Sequence, residues 1–108
     1  SNTFEWQYDT YNKQALDIIE EDQKEGKQSV ISIGINWLFE PSLNFYRIAE
    51  DKQWLKPLSH DGYQEESYQY YYLLKEKDQQ VIDAAEGKGW SLMSAFPNGA
   101  YLYKNNNY

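Results

Sequence analysis

Val30-Ile31-Ser32-Ile33-Gly34-Ile35-Asn36-Trp37-Leu38-Phe39-Glu40-Pro41-Ser42-Leu43-Asn44-Phe45-Tyr46-Arg47 is the stretch whose reading decides the fold. Val30 to Ile35 is apolar on both faces and rich in β-branched residues, the pattern of a central strand covered on both sides. Asn36 to Glu40 form a loop. Pro41 then suits the first position of a helix, where a missing N–H costs nothing. Within that helix, residues 41–51, Leu43, Tyr46 and either Ala49 or Ile48 are expected to face inward. Strand, loop and helix in this order predict a small α/β sandwich.

Working outward, residues 3–9 alternate Phe4, Trp6 and Tyr8 with polar residues, as an edge strand or an arm packed on the core would. Residues 10–25 carry Tyr11, Ala15, Leu16, Ile18 and Ile19 at helical spacing, with Asp9 or Thr10 as cap and Gly26 as stop. Residues 54–59, Trp54-Leu55-Lys56-Pro57-Leu58-Ser59, read as a second strand, at an edge because Pro57 lacks a donor. His60-Asp61-Gly62 is a turn. Residues 68–74 read as a third strand, with Tyr68, Tyr70, Tyr72 and Leu74 on one side and Tyr71 and Leu73 on the other. A short helix is expected over 76–86. Asn98-Gly99 between the apolar runs 90–96 and 100–104 marks a hairpin. Residues 105–108 are expected to fray. The sum is one α/β domain, residues 1–108, in two or three layers. Its mixed sheet would have about five strands, the first three parallel and the last two an antiparallel hairpin, with two to three helices.

The chain has 108 residues and a formal net charge of −7. That balance argues against phosphate-rich nucleic acid and anionic membrane surfaces. With no Cys and one His, disulfide scaffolds, thiolate metal sites and His-cluster metal sites are excluded. Neither G-x-G-x-x-G nor G-x-x-x-x-G-K-[ST] occurs, nor a G-x-S-x-G elbow, so no nucleotide loop or hydrolase elbow is present and no cofactor is expected. Ser1-Asn2, with no initiator Met, reads as a tag remnant on an excised segment.

Chemistry, if present, is expected beyond the carboxyl ends of the parallel strands. That edge would gather Asn36, Trp37 and Glu40 after the first strand and His60 and Asp61 after the second, with Asn44 and Arg47 on the adjoining helix. Glu40, His60 and Asp61 would serve a small hydrolase only by converging in one pocket. Aromatic residues make up 18% of the chain. Trp37, Trp54, Trp90 and Tyr68 to Tyr72 would either stack against the apolar faces of a glycan or fill the core.

Asn36-Trp37-Leu38-Phe39-Glu40-Pro41 followed by Asn44-Phe45-Tyr46-Arg47, then Trp54-Leu55-Lys56-Pro57, Asp61-Gly62 and Tyr70-Tyr71-Tyr72, carry a resemblance. The stretch from about residue 28 to 104 resembles the soluble C-terminal region of multi-pass membrane proteins from Bacteroidetes-type bacteria. Those proteins are similar to glycosyltransferases that use polyprenyl-phosphate sugars, the dolichyl-phosphate-mannose mannosyltransferase-like group. In that group the chemistry belongs to acidic residues in loops of the membrane part, so no catalytic residue carries over. The resemblance implies a non-catalytic accessory domain on the periplasmic face, attached to its membrane domain and positioning a glycan or lipid-linked sugar. The alternative from the residues alone is a stand-alone carbohydrate-binding or protein-interaction module.

Overall fold

The computed structural model describes residues 3–26 and 30–108, for residues 3–8 as backbone only. In chain order the elements are α1 (Thr3–Gln23), β1 (Ile33–Ile35), a 3-10 turn (Trp37–Phe39), α2 (Glu40–Ala49) and β2 (Tyr70–Leu74). α3 (Gln79–Ala84), a second 3-10 turn (Glu86–Lys88), β3 (Trp90–Ala95) and β4 (Ala100–Asn105) follow. The four strands form one mixed sheet in the order β1-β2-β4-β3. β1 and β2 are parallel, and β4 is antiparallel to both β2 and β3.

The reading of 30–47 holds in part: the strand is regular only over Ile33–Ile35, it stands at the end of the sheet order and not at its centre, and Val30 is exposed. Ile33, Gly34 and Ile35 are all buried, as a strand covered on both faces requires. Pro41 lies in the first turn of α2, and Asn36 caps the preceding 3-10 turn by accepting the Leu38 N–H at 2.9 Å. The β3–β4 hairpin closes through Pro97-Asn98-Gly99, with Gly99 at φ 91°.

Five expectations are corrected. Residues 3–9 are neither arm nor edge strand. They belong to α1, which runs on to Gln23, so Asp9 and Thr10 lie inside the helix and do not cap it. The expected strand at 54–59 shrinks to one parallel rung, Ile31 beside Leu55, made by Ile31 N–H to Trp54 O at 2.7 Å and Lys56 N–H to Ile31 O at 2.9 Å. Pro57 follows at once and has no N–H to continue the ladder. The sheet therefore has four strands with one parallel pair, not five with three parallel. Neither Ala49 nor Ile48 faces inward; both are exposed, and Leu43 is the buried residue of α2. The tail is pinned, not frayed. β4 extends to Asn105, whose Nδ2 donates to Tyr68 O at 2.9 Å; Asn106 N–H donates to Gly89 O at 3.0 Å, and Tyr108 Oη to Ser67 O at 2.8 Å.

Two clusters sandwich the sheet. Ala15, Leu16 and Ile19 of α1 and Leu43 of α2 pack on Ile33, Ile35, Tyr70, Tyr72, Leu74 and Leu102. On the opposite face, Tyr68, Tyr71, Leu73, Ala85 and Tyr103 pack together, with Val81, Ile82 and Trp90 half-buried against them. Alternation along β2 assigns Tyr70, Tyr72 and Leu74 to the first face and Tyr71 and Leu73 to the second, as period two requires. Tyr68 departs from that alternation. It precedes the regular strand and sides with Tyr71, its ring lying over Gly34, where a Cβ would stand 2.5 Å from the Tyr68 ring.

Candidate functional site

The carboxyl ends of β1 and β2 converge where Gly62 lets the chain turn back onto β1. Gly62 has φ 81°, and a Cβ there would stand 2.9 Å from Ile35 O. Tyr63 N–H then donates to Ile35 O at 2.7 Å. Beneath this turn sits Asp78, buried, at the hub of three bonds. Its carboxylate accepts from Asn36 Nδ2 at 2.9 Å, from the Leu74 N–H at 2.9 Å and from Tyr63 Oη at 3.0 Å. Burial, with the Asp78 charge beside it, pushes the Tyr63 hydroxyl up to about 12. A carboxylate held by three donors ties two strand ends and a loop together; it is satisfied where it stands.

Around this hub the expected residues divide into two groups. Glu40, Asn44, Arg47 and His60 join in one surface chain of hydrogen bonds. His60 Nδ1 donates to Glu40 Oε1 at 3.0 Å, Asn44 Nδ2 to Glu40 Oε2 at 2.8 Å, and Arg47 Nε to Asn44 Oδ1 at 3.0 Å. Asn44 also accepts the Leu58 N–H and donates to Leu58 O, each at 3.0 Å, so it splices the 54–59 segment onto α2. Asn36 lies below, committed to Asp78 and to its own turn. Asp61 is exposed; its N–H donates to Ser59 Oγ at 3.2 Å, and its carboxylate acts on His60 through charge.

The electrostatics follow from these bonds. The Asn44 and His60 bonds hold the Glu40 carboxyl below its ordinary range. The Glu40 bond and charge, with the Asp61 charge, raise the His60 imidazole. Both shifts favour the charged forms, a carboxylate on an imidazolium. The His60 side chain is 90% exposed over a half-buried Glu40, so the imidazole stands in solvent and the pair encloses no reaction space.

Trp37 sits apart from that chain and is 60% exposed. It differs from its fellows: Trp54 has Lys52 Nζ over its ring at 5.7 Å, and Trp90 is stacked on Tyr71 at 3.7 Å with Lys88 Nζ over it at 5.2 Å. The Tyr68 to Tyr72 run is buried, so those rings form core and not a binding face.

Sequence reading missed what lies beside Trp37. Leu38 is 43% exposed, Phe45 64% and Ile48 68%. With Pro41 they recur at 38, 41, 45 and 48, the spacing of one helix face. A groove of about 480 Å³ runs along this face, lined by Asp9, Asn12, Leu38, Pro41, Ser42 and Phe45, with Phe39 at its floor. The Ser42 hydroxyl is buried there without a hydrogen-bond partner among the described residues. The signal lay in Pro41, Phe45 and Ile48, three apolar residues on one face of α2, with Leu38 in the turn before it.

Fold and site together define a small mixed α/β unit with a satisfied polar edge and a bare apolar helix face. Compared with models of known protein families, with curated proteins and with solved structures, the chain matches none. Among the described residues, no group of His, Asp and Glu is placed to hold a metal ion, and no helix is long and apolar enough to cross a membrane.

Proposed function

We propose that this chain is a non-catalytic interaction domain whose working surface is the outward face of α2. In the setting its resemblance implies, it is the periplasmic accessory domain of a membrane glycosyltransferase-like protein, holding a partner in position for the membrane part. The observation that carries the reading is the contrast at one edge. The polar groups there are bonded to one another, while Leu38, Pro41 and Phe45 line an open groove and Ile48 stands exposed one turn further along α2, and apolar exposure of this kind on a small domain marks a contact surface.

A glycan is the second reading, favoured by Trp37 alone, the described indole whose ring is left uncovered. A hydrolase built on Glu40, His60 and Asp61 draws no support from the chemistry. His60 stands in solvent, no enclosed pocket surrounds it, and Asp61 does not join its bond to Glu40.

The test is site-specific photo-crosslinking. A photoreactive residue at position 45, within the parent protein in its own membrane, is expected to give a discrete protein adduct. The same residue at Glu65, away from α2, is expected to give none. Equal adducts at both positions, or none at either, would remove the reading. Saturable shifts of the Trp37 indole by a monosaccharide or oligosaccharide panel would transfer it to the glycan alternative.

A further inference from the structure

We infer that the α2 face takes an amphipathic helix bearing basic residues, supplied by another polypeptide. This rests on the interaction reading above and names the partner's chemistry. Shape comes first. Leu38, Pro41, Phe45 and Ile48 make a ridge at spacings of three, four and three, and the adjoining groove of about 480 Å³ lies between that ridge and α1. A ridge beside a groove on two helices is the surface into which a third helix lays anchors at i, i+3 or i+4 and i+7. An extended strand would instead need an open ladder, and this face offers side chains, not unpaired backbone.

Charge decides the flanks of the incoming helix. Asp9 lines the groove, Asp51 lies beside Ile48 past the end of α2 with Gln53 Nε2 on its carboxylate, and Asp61 precedes Gly62, which packs against Trp37. None of the three enters an ion pair among the described residues. Of the nearby cations, Lys13 is paired with Glu50 at 3.2 Å, Lys52 with Glu20 and Glu50, and His60 with Glu40; Arg47 bonds to the neutral Asn44 and keeps its charge, so the carboxylates remain in excess. An apolar ridge rimmed with unpaired carboxylates, on a chain of net charge −7, complements a helix with Lys or Arg beside its apolar stripe.

A second copy of this chain is the weaker occupant. It would bring −7 against −7. The four exposed side chains present on the order of 450 Å², within the range of the largest patch on ordinary monomers. A stable symmetric interface needs about 800 Å² per partner.

The experiment is selection of random 16-residue peptides on the 108-residue chain, with counter-selection on the Phe45→Ser/Ile48→Ser double variant. Both side chains are largely exposed, so that variant keeps the fold, checked by circular dichroism. Enriched peptides are expected to place apolar residues at helical spacing with Lys or Arg alongside. They should bind the double variant at least tenfold more weakly and weaken severalfold as salt is raised from about 0.05 to 0.5 M. Acidic or period-two winners, winners indifferent to the double substitution, or no enrichment would each overturn the inference. So would self-association of the chain alone by sedimentation. A Phe45 adduct in the parent protein, obtained alongside acidic or period-two winners, would leave the interaction reading standing and remove the basic helix.

Discussion

The sheet's two faces are covered by different means. On one, α1 and α2 lay aliphatic side chains over Ile33, Ile35 and Leu102, Phe39 and Phe96 meet the Tyr72 ring at 4.4 and 6.2 Å, and the two tyrosines of β2 buried there are given partners: Tyr72 Oη donates to Asn12 Oδ1 at 2.7 Å and Tyr70 Oη to Asp22. On the other, α3 has six residues, none fully buried, and rings do the covering. Tyr71 stacks on Trp90 with 17° between planes, Tyr68 meets Tyr71 edge-on at 5.5 Å, and Gly34 leaves the slot for Tyr68. Long amphipathic helices supply area on the first face. The second reaches density by fitting flat rings to one another, which leaves little slack for added atoms.

The sharpest way to break that contrast is to fill the slot. Gly34→Ala should cost about 3 kcal/mol or more, read as a lowered urea midpoint, because the new methyl meets a packed ring and not open space. Its cost should fall in a Tyr68→Ala background, since the two positions share one space. An unchanged midpoint would show that the ring face has room, and the contrast would fail.

Next in size is a matched pair of truncations. Leu43→Ala, on the fully buried side of α2, should cost about 3 kcal/mol, whereas Val81→Ala, on half-buried α3, should cost about 1 kcal/mol or less. Equal costs would mean that the short helix contributes as much as the long ones.

The smallest effect lies outside both faces, at the solvent-exposed Glu40–His60 pair. His60 should titrate above its ordinary value of 6.5, and Glu40→Gln should bring it back down, followed by NMR. The raised His60 pKa gives stability that is complete below 6.5 and lost as pH rises through the folded value. The lowered Glu40 pKa gives stability that is present above 4.5 and lost as pH falls through its folded value. Both contributions therefore coexist between about 4.5 and 6.5. A His60 titration unmoved by Glu40→Gln would show that the surface chain of bonds does not persist in solution.

What could be read in advance was whatever local sequence dictates. The run Ile33–Ile35, the Pro41 helix start and the Asn98-Gly99 hairpin each carry their own chemistry. Residues 54–59 misled because their apolar content suited a strand while Pro57 limited the ladder to one rung. Tyr68 changed sides because period two applies only once pairing begins, at Tyr70. Asp78 stayed hidden because the helix expected over 76–86 enclosed it, whereas α3 starts after it and its carboxylate turns back to Asn36, Tyr63 and Leu74, contacts visible only after folding. At the site, chain proximity suggested Glu40, Asn44 and Arg47, and His60 does join them. The apolar face of α2 escaped notice because one of Ala49 and Ile48 was expected inside, whereas both are exposed.

The sheet's margins carry a consequence for how this molecule meets others. At one margin the parallel ladder stops after a single rung at Pro57. At the other, the register between β3 and β4 slips between Leu92 and Ser94, leaving Met93 as a bulge that kinks the outer strand. Blunted margins of this kind discourage a neighbour's strand from docking, the first step toward cross-β aggregation. Crowded copies of this protein are therefore steered away from backbone-to-backbone growth, and contact with other chains is left to side chains, which can discriminate between partners.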